Sequence, residues 1–79
     1  MNETEIKQMI AKVIDCQSIE VVGDGSHFEA IVVSESFVDK RPVARQQMVY
    51  SVLQEKISTG ELHALSLKTL TPSESAKRQ

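Results

Sequence analysis

The fold is decided by the stretch LHALSLKTLTP, residues 62–72, which alternates its faces, opens with a histidine and stops at a proline. A β-strand points successive side chains to opposite faces, so the pattern places His63, Leu65 and Leu67 on one face. The other face takes the remaining residues, Leu62, Ala64, Ser66 and Lys68. The sequence therefore predicts a C-terminal strand with His63 at its leading edge, where an imidazole can meet both core and solvent.

Two longer segments carry apolar residues at helical spacing. The first covers about residues 3–14 and follows Asn2, whose side chain can cap a helix. Its predicted apolar stripe consists of Ile6, Met9, Ile10, Val13 and Ile14. The second covers about residues 43–58, after Pro42 and before Gly60. Its predicted stripe consists of Val49, Val52, Leu53 and Ile57.

Short β-branched runs at residues 18–22 and 27–34 predict two more strands, and the glycines between them predict a hairpin. Residues 34–37 predict a short helical turn. The resulting order, αββααβ, predicts a two-layer α+β fold in which helices cover one face of a three-stranded sheet. We expect one domain over all 79 residues, with an ordered core at about residues 3–72 and a flexible polar tail at residues 73–79.

Composition narrows the classes of function. A chain of 79 residues that is 41% hydrophobic has little core to spare for an enclosed active site. Nine basic and eleven acidic residues give a net charge of -2, which argues against coating nucleic acid through bulk charge. The acidic N-terminus and the lack of an apolar run of roughly 20 residues predict a cytoplasmic protein without a membrane segment.

A single cysteine, Cys16, predicts no internal disulfide and fits a reducing compartment. We expect it to be a small buried apolar side chain rather than a ligand. No Ser-His-Asp or Cys-His arrangement is credible in this sequence, and the glutamates are typical of a solvated surface. The sequence therefore predicts a protein that is not an enzyme.

Several short signatures over about residues 3–74 resemble the BolA-like family. In chain order they are Ser26-His27-Phe28, Val32-Val33-Ser34, Phe37, Lys40, Arg45, Val49-Tyr50, His63-Ala64-Leu65, Thr69, Thr71-Pro72 and Glu74. The run from Gly23 to Phe28 and the pair Gln46-Gln47 are similar to the family's short bacterial branch, which is associated with acid stress. Each signature is weak alone, but their order is specific.

The resemblance implies a fold similar to class II KH domains, and two departures from the family bear on function. Val38-Asp39 stands where many members have a glycine, which removes the nearest equivalent of a glycine-rich loop that clamps phosphate. Ser75 follows Glu74 where many members have a tryptophan, which bears on how the C-terminal tail docks.

The two histidines are the candidate metal ligands. The resemblance implies that His63 ligates a 2Fe-2S cluster shared with a monothiol glutaredoxin and glutathione, with no cofactor in the isolated chain. Imidazole is a competent ligand for iron, although a lone strand histidine is more often structural. His27 is the candidate second ligand, because Asp24 stands where many members have Cys or His and a carboxylate suits a soft centre poorly. A structural hydrogen bond is an equal alternative for His27.

Lys40, Arg41 and Arg45 form a basic cluster at the start of the second long helix, and we expect Lys68 to join it across the sheet. The cluster fits a solvated helix start, a contact to phosphate or glutathione, or a contact to DNA. The leading hypothesis is an adaptor that pairs with a monothiol glutaredoxin in iron-sulfur trafficking or iron and stress sensing. The alternatives are a nucleic-acid-binding transcriptional regulator of the stress response and an interaction module with incidental histidines. We expect the free protein to be a monomer.

Overall fold

The computed structural model describes residues 2–23, 27–62 and 64–77. In chain order the elements are α1 (Glu3–Val13), β1 (Ser18–Gly23), β2 (His27–Val33), a 3₁₀ helix (Glu35–Phe37), α2 (Pro42–Ser58), β3 (Ala64–Leu70) and α3 (Pro72–Ala76). The predicted order is confirmed, with one short helix added at the C-terminal end. Within the described ranges, no helix is long and apolar enough to cross a bilayer.

The sheet has three strands in the order β1-β2-β3. β1 runs antiparallel to β2, with Gly23 opposite Phe28. β2 runs parallel to β3, with His27 opposite Ala64. Because parallel neighbours begin at the same end of a sheet, the chain has to cross back between them, and the segment that contains α2 makes that crossover.

One face of the sheet packs against α1 and α2. Leu65 and Leu67 of β3 point to this face, as their alternation predicts, and both pack against the core. The buried core cluster consists of Ile6, Ile10, Ile14, Ile19, Phe28, Val32, Phe37, Val49, Leu53 and Leu62. The opposite, helix-free face carries exposed polar residues, among them Glu20, His27, Glu29, Ser66 and Lys68. This arrangement confirms the predicted α+β class.

Two residues of the predicted apolar stripes lie outside the core: Val13 is 69% exposed and Ile57 is 39% exposed. α1 ends at Val13, and Ile14 turns into an extended conformation that carries its own side chain into the core. In α2 the buried face runs through Arg45, Val49 and Leu53. Residues four apart drift by roughly 40° per step around a helix, so a continuation of this series to Ile57 rotates away from the core.

β3 is shorter than the predicted strand over residues 62–72, since it spans only Ala64–Leu70. Leu62 was predicted on the strand face opposite Leu65 and Leu67, but it precedes the strand and is 1% exposed within the core. Its backbone N–H donates to the carbonyl of Lys56 at 3.1 Å. His63, the leading residue of the predicted strand, lies outside the described residues.

The sequence predicts a flexible tail over residues 73–79, and within this segment the structure forms a short helix, α3, which spans Pro72–Ala76. Thr71 caps this helix, because its side chain accepts from the N–H of Glu74 at 3.2 Å. The Glu74 carboxylate in turn accepts from the N–H of Thr71 at 2.9 Å. The prediction rested on the polarity of this segment. It missed the capping pair of Thr71 and Glu74, which together with Pro72 begins a helix.

Asp39 adopts a left-handed backbone conformation, with φ of 65°, in the turn before α2. Two hydrogen bonds hold this turn: Val38 N–H donates to Glu35 at 3.1 Å, and Lys40 N–H donates to Phe37 at 3.2 Å. Side chains with a Cβ are strained in this conformation, aspartate less than most, whereas glycine is not. Asp39 therefore occupies a conformation that suits glycine, the residue that many members of the resembling family carry between Phe37 and Lys40.

We expect Asp39→Gly to raise the free energy of unfolding by about 0.5–1 kcal/mol, because relief of the left-handed strain exceeds the entropy cost of glycine. Asp39→Ala should lower it by about 1 kcal/mol, since alanine tolerates a positive φ poorly. Urea unfolding measures both, with Asp39→Asn as the near-neutral control. A less stable glycine variant would contradict the positive φ.

Candidate functional site

His27 is the first residue of β2 and is exposed on the helix-free face. The parallel register places it opposite Ala64, the first residue of β3. Ala64 is bonded directly to His63, and consecutive Cα atoms across a trans peptide are about 3.8 Å apart. The pairing of β2 with β3 therefore brings His27 next to the residue that follows His63, although the two histidines are far apart in sequence.

The chain on both sides of His63 is held in place. On one side, the backbone N–H of the buried Leu62 donates a hydrogen bond to the carbonyl of Lys56. A 3.1 Å ion pair also joins the Lys56 ammonium to the Glu61 carboxylate. On the other side, the hydroxyl of Tyr50 donates to the carbonyl of Leu65 at 3.0 Å, which fastens the start of β3 to α2. These contacts fix the neighbours of the predicted metal ligand, while His63 itself lies outside the described residues.

Gly23 ends β1 beside this end of the sheet. A Cβ atom at Gly23 would lie 2.7 Å from the carbonyl oxygen of His27 and would collide with the ring of Phe28. Glycine is required at this position for close packing, so its role differs from the turn conformation that the sequence suggests. The rest of that turn, Asp24 included, lies outside the described residues.

Cys16 lies at the other end of the sheet from His27. It precedes β1, whose first residue, Ser18, is opposite Val33, the last residue of β2. Five strand residues lie between Val33 and His27, which are therefore six residue steps, or roughly 20 Å, apart. Cys16 therefore stands apart from the histidine end of the sheet.

The Cys16 thiol is half-buried and packs against the core, so it is less buried than the sequence predicts. It donates to the carbonyl of Ile14 at 3.2 Å. Burial, and to a smaller extent Asp15, raises the pKa of this thiol, which disfavours the thiolate form that binds metals. Over residues 2–23, 27–62 and 64–77, no group of three or more His, Cys, Asp or Glu side chains could hold a metal ion.

The predicted basic cluster divides into two parts. Lys40 and Arg41 are exposed just before α2, whereas Arg45 is only 9% exposed. The Arg45 guanidinium donates through Nε to the carbonyl of Lys40 at 2.8 Å and through Nη1 to the carbonyl of Thr69 at 3.4 Å. Its strongest contact is an ion pair with Glu74, 2.7 Å between Nη1 and Oε1. Arg45 thus holds α2, β3 and α3 together, whereas the sequence left open a solvated helix start, a contact to phosphate or glutathione, or a contact to DNA.

Lys68 does not join the basic cluster around α2. It lies in β3 opposite Ile31 of β2, on the exposed, helix-free face. α2 packs against the other face, so the sheet lies between the Lys68 side chain and that helix. Sequence alternation alone could have revealed this separation, because Lys68 falls on the face opposite the core residues Leu65 and Leu67.

The contact between Arg45 and Glu74 explains how the C-terminal segment docks when Ser75 replaces the family's tryptophan. The Arg45 guanidinium, followed by the N–H of Thr71, lowers the pKa of the Glu74 carboxyl below its ordinary value of 4.5. A group whose pKa is lower in the folded state stabilises the fold above its unfolded pKa and loses that effect as it is protonated. α3 is therefore held most strongly above pH 4.5.

We expect Glu74→Gln to lower the free energy of unfolding at pH 7, because the variant loses the charged partner of a buried arginine. The difference from the wild type should shrink as the pH falls through 4.5 and below, where the wild-type carboxylate becomes protonated. Urea titrations at several pH values measure this, with Glu29→Gln on the helix-free face as the control. An equal difference at pH 7 and pH 3 would mean that charge does not hold α3.

The fold and the site together define a small α+β domain with an exposed histidine where two parallel strands begin. The family model described as BolA-like protein matches residues 4–74. Acid stress protein IbaG of Escherichia coli K12 is 40% identical over 77 residues, which cover 98% of this chain and 92% of that protein.

Two solved structures extend the comparison. A BolA protein homologue from Coxiella burnetii is 36% identical with a TM-score of 0.78, and the match covers 98% of this chain and 99% of that one. BolA1 from Arabidopsis thaliana is 31% identical with a TM-score of 0.80, and the match covers 90% and 92%. The chain belongs to the BolA-like family, which confirms the resemblance seen in the short signatures.

Proposed function

We propose that this protein is a non-enzymatic adaptor that pairs with a monothiol glutaredoxin and shares a 2Fe-2S cluster with it and with glutathione. The cluster would serve iron-sulfur trafficking or the sensing of iron and stress. His63 is the proposed iron ligand, and His27 is the candidate second ligand. Membership of the BolA-like family, which is not an enzyme family, supports this role. The acid-stress name of the bacterial relative is consistent with a function under stress.

The observation that carries the proposal is the register between the parallel strands. It places the exposed His27 opposite Ala64, the neighbour of His63, at one end of the sheet. Imidazole nitrogens suit iron, and histidine replaces cysteine on one iron in some 2Fe-2S proteins. The donor types at this end of the sheet therefore fit one side of a shared cluster.

When bound, the cluster would supply one-electron redox chemistry and a unit of iron and sulfide that can be transferred.

The contacts on either side of His63 have a positioning role. The hydrogen bond from the Tyr50 hydroxyl to Leu65 positions the start of β3. The backbone hydrogen bond from Leu62 to Lys56 positions the chain just before that strand. Backbone that is already held on both sides of the proposed ligand adds little ordering cost of its own when a partner docks, which favours a stable complex. Cys16 lies at the far end of the sheet and has no part in this proposal.

The test is to mix the purified protein with a monothiol glutaredoxin, glutathione, iron and sulfide, and to record visible absorption and circular dichroism. We expect a spectrum distinct from that of the glutaredoxin alone. His63→Ala should leave the fold intact but weaken cluster retention, because the cluster then has one ligand fewer. His27→Ala should have a smaller or similar effect.

Cys16→Ser is the matched control. It removes the Cys16 thiol, which lies at the end of the sheet away from His27, and should leave the cluster spectrum unchanged. Far-ultraviolet circular dichroism confirms that each variant is folded. If His63→Ala keeps an unaltered spectrum, His63 is structural and the ligand assignment fails. If the wild-type mixture gives only the glutaredoxin spectrum, the adaptor proposal itself fails.

A nucleic-acid-binding regulator is the alternative function, and the exposed pair Lys40 and Arg41 is the observation in its favour. Both precede Pro42, where the free N–H groups of α2 also attract anions. Because Arg45 forms an ion pair with Glu74, the surface at the start of α2 has fewer unpaired cations than the sequence suggests. A phosphate or glutathione contact fits the same pair.

We expect Lys40→Gln combined with Arg41→Gln to weaken any DNA binding and to reduce its salt slope by about two, because each removed cation leaves one phosphate without its neutralising partner. Arg45 is left unchanged in this variant because its substitution would release α3. Fluorescence anisotropy over a range of salt concentrations measures the effect. Sequence-selective binding that survives physiological salt and disappears in the double variant would favour the regulator over the adaptor.

A further inference from the structure

A continuous groove runs along the outer edge of β1, between that edge and α1. One part, about 460 Å³ in volume, lies between Lys7 and residues 19–22. The other part, about 420 Å³, lies between Ala11 and residues 15–19. Because Lys7 and Ile19 line both parts, the two hollows follow the strand from one end to the other.

The strand along this groove has an unsatisfied edge. β1 pairs with β2 on one side, and no strand among residues 2–23, 27–62 and 64–77 pairs with its other side. In an antiparallel pair, every second residue points its N–H and C=O away from the partner strand. These groups form a template for one more strand, which is how extended peptides bind to open sheet edges.

The side chains of β1 do little to block such pairing. Proteins commonly protect an edge strand with lysine, proline or a bulge, and β1 has Glu20 as its single charged residue. Val22 is 60% exposed and Val21 is half-buried. The edge therefore offers apolar surface beside its open backbone groups.

The charge of the groove indicates the chemistry of its occupant. Glu3 and Glu20 line the first part and Asp15 the second, against the single cation Lys7. Among the described residues, no ion pair or side-chain hydrogen bond engages the carboxylates of Glu3 and Glu20. A second copy of this chain, pairing antiparallel through its own β1, would bring two Glu20 carboxylates close together, which is unfavourable. A basic strand matches the groove better.

We propose that the outer edge of β1 and the facing side of α1 bind an extended segment of a partner protein by strand addition, and that this segment carries Lys or Arg at alternate positions. Alternate side chains of a bound strand lie about 6.6 Å apart on one face, so a segment with Lys or Arg at every second position presents its charges on a single face. Backbone hydrogen bonds supply affinity and the carboxylates supply selectivity. The groove involves neither the histidines nor the proposed cluster.

The test is a titration of the ¹⁵N-labelled protein with a pool of octapeptides that have Lys at every second position and Val, Ile or Thr between. We expect saturable amide shifts in β1 and in the part of α1 that lines the groove. The same pool with Glu in place of Lys, and the Lys pool with every backbone nitrogen methylated, should cause no such shifts. Binding of the methylated pool at equal strength, or shifts confined to other surfaces, would overturn the proposal.

Two charge reversals sharpen the test. Glu20→Lys should weaken binding of the Lys pool about fivefold, whereas Glu55→Lys, which makes the same charge change on the exposed side of α2, should alter it less than about twofold. Equal effects would show that net charge, rather than the groove, attracts the peptides. Shifts in β1 that depend on protein concentration without peptide would mean that a second copy occupies the edge, and would also overturn the proposal.

Discussion

The parallel pairing of β2 with β3 is the constraint on which the rest of the structure depends. Parallel neighbours begin at the same end of the sheet, so the chain between them has to return along one face, and α2 covers that face as it does so. The pairing also places His27 opposite Ala64. With β2 flanked on both sides, β1 is left at an edge. The candidate site and the groove are thus two consequences of one pairing.

Arg45 is the second constraint, because its buried charge has to be compensated. An unpaired guanidinium in this position would be costly, whereas Glu74 and two backbone carbonyls neutralise it and satisfy its donors. The same contact turns a polar C-terminal segment into a docked helix, so α3 depends on a residue of α2 that is 29 positions away in sequence. Arg45, which the sequence groups with a basic surface, is therefore a buried residue that connects α2, β3 and α3.

Local patterns in the sequence predicted most of the fold, and contacts between distant residues account for what they missed. Period and turn residues located α1, α2 and the three strands, because those signals act within a few residues. The capping pair of Thr71 and Glu74 was also local and could have predicted α3. The burial of Arg45 had no local signal, since its partner lies 29 residues away. The position of His27 was predictable only from the strand register, and His63 still depends on the family resemblance.

The histidine end and the β1 groove use different strands of the sheet, because His27 begins β2 and the groove follows the outer edge of β1. His27 points to the helix-free face, because Phe28, the next residue along β2, points into the core. The groove opens on the side where α1 packs. The proposed adaptor would contact two partners at once, and separate strands of one sheet would keep those contacts apart. The two proposals therefore assign different surfaces of a 79-residue chain to different partners, the glutaredoxin to the histidine end and the basic segment to the edge of β1.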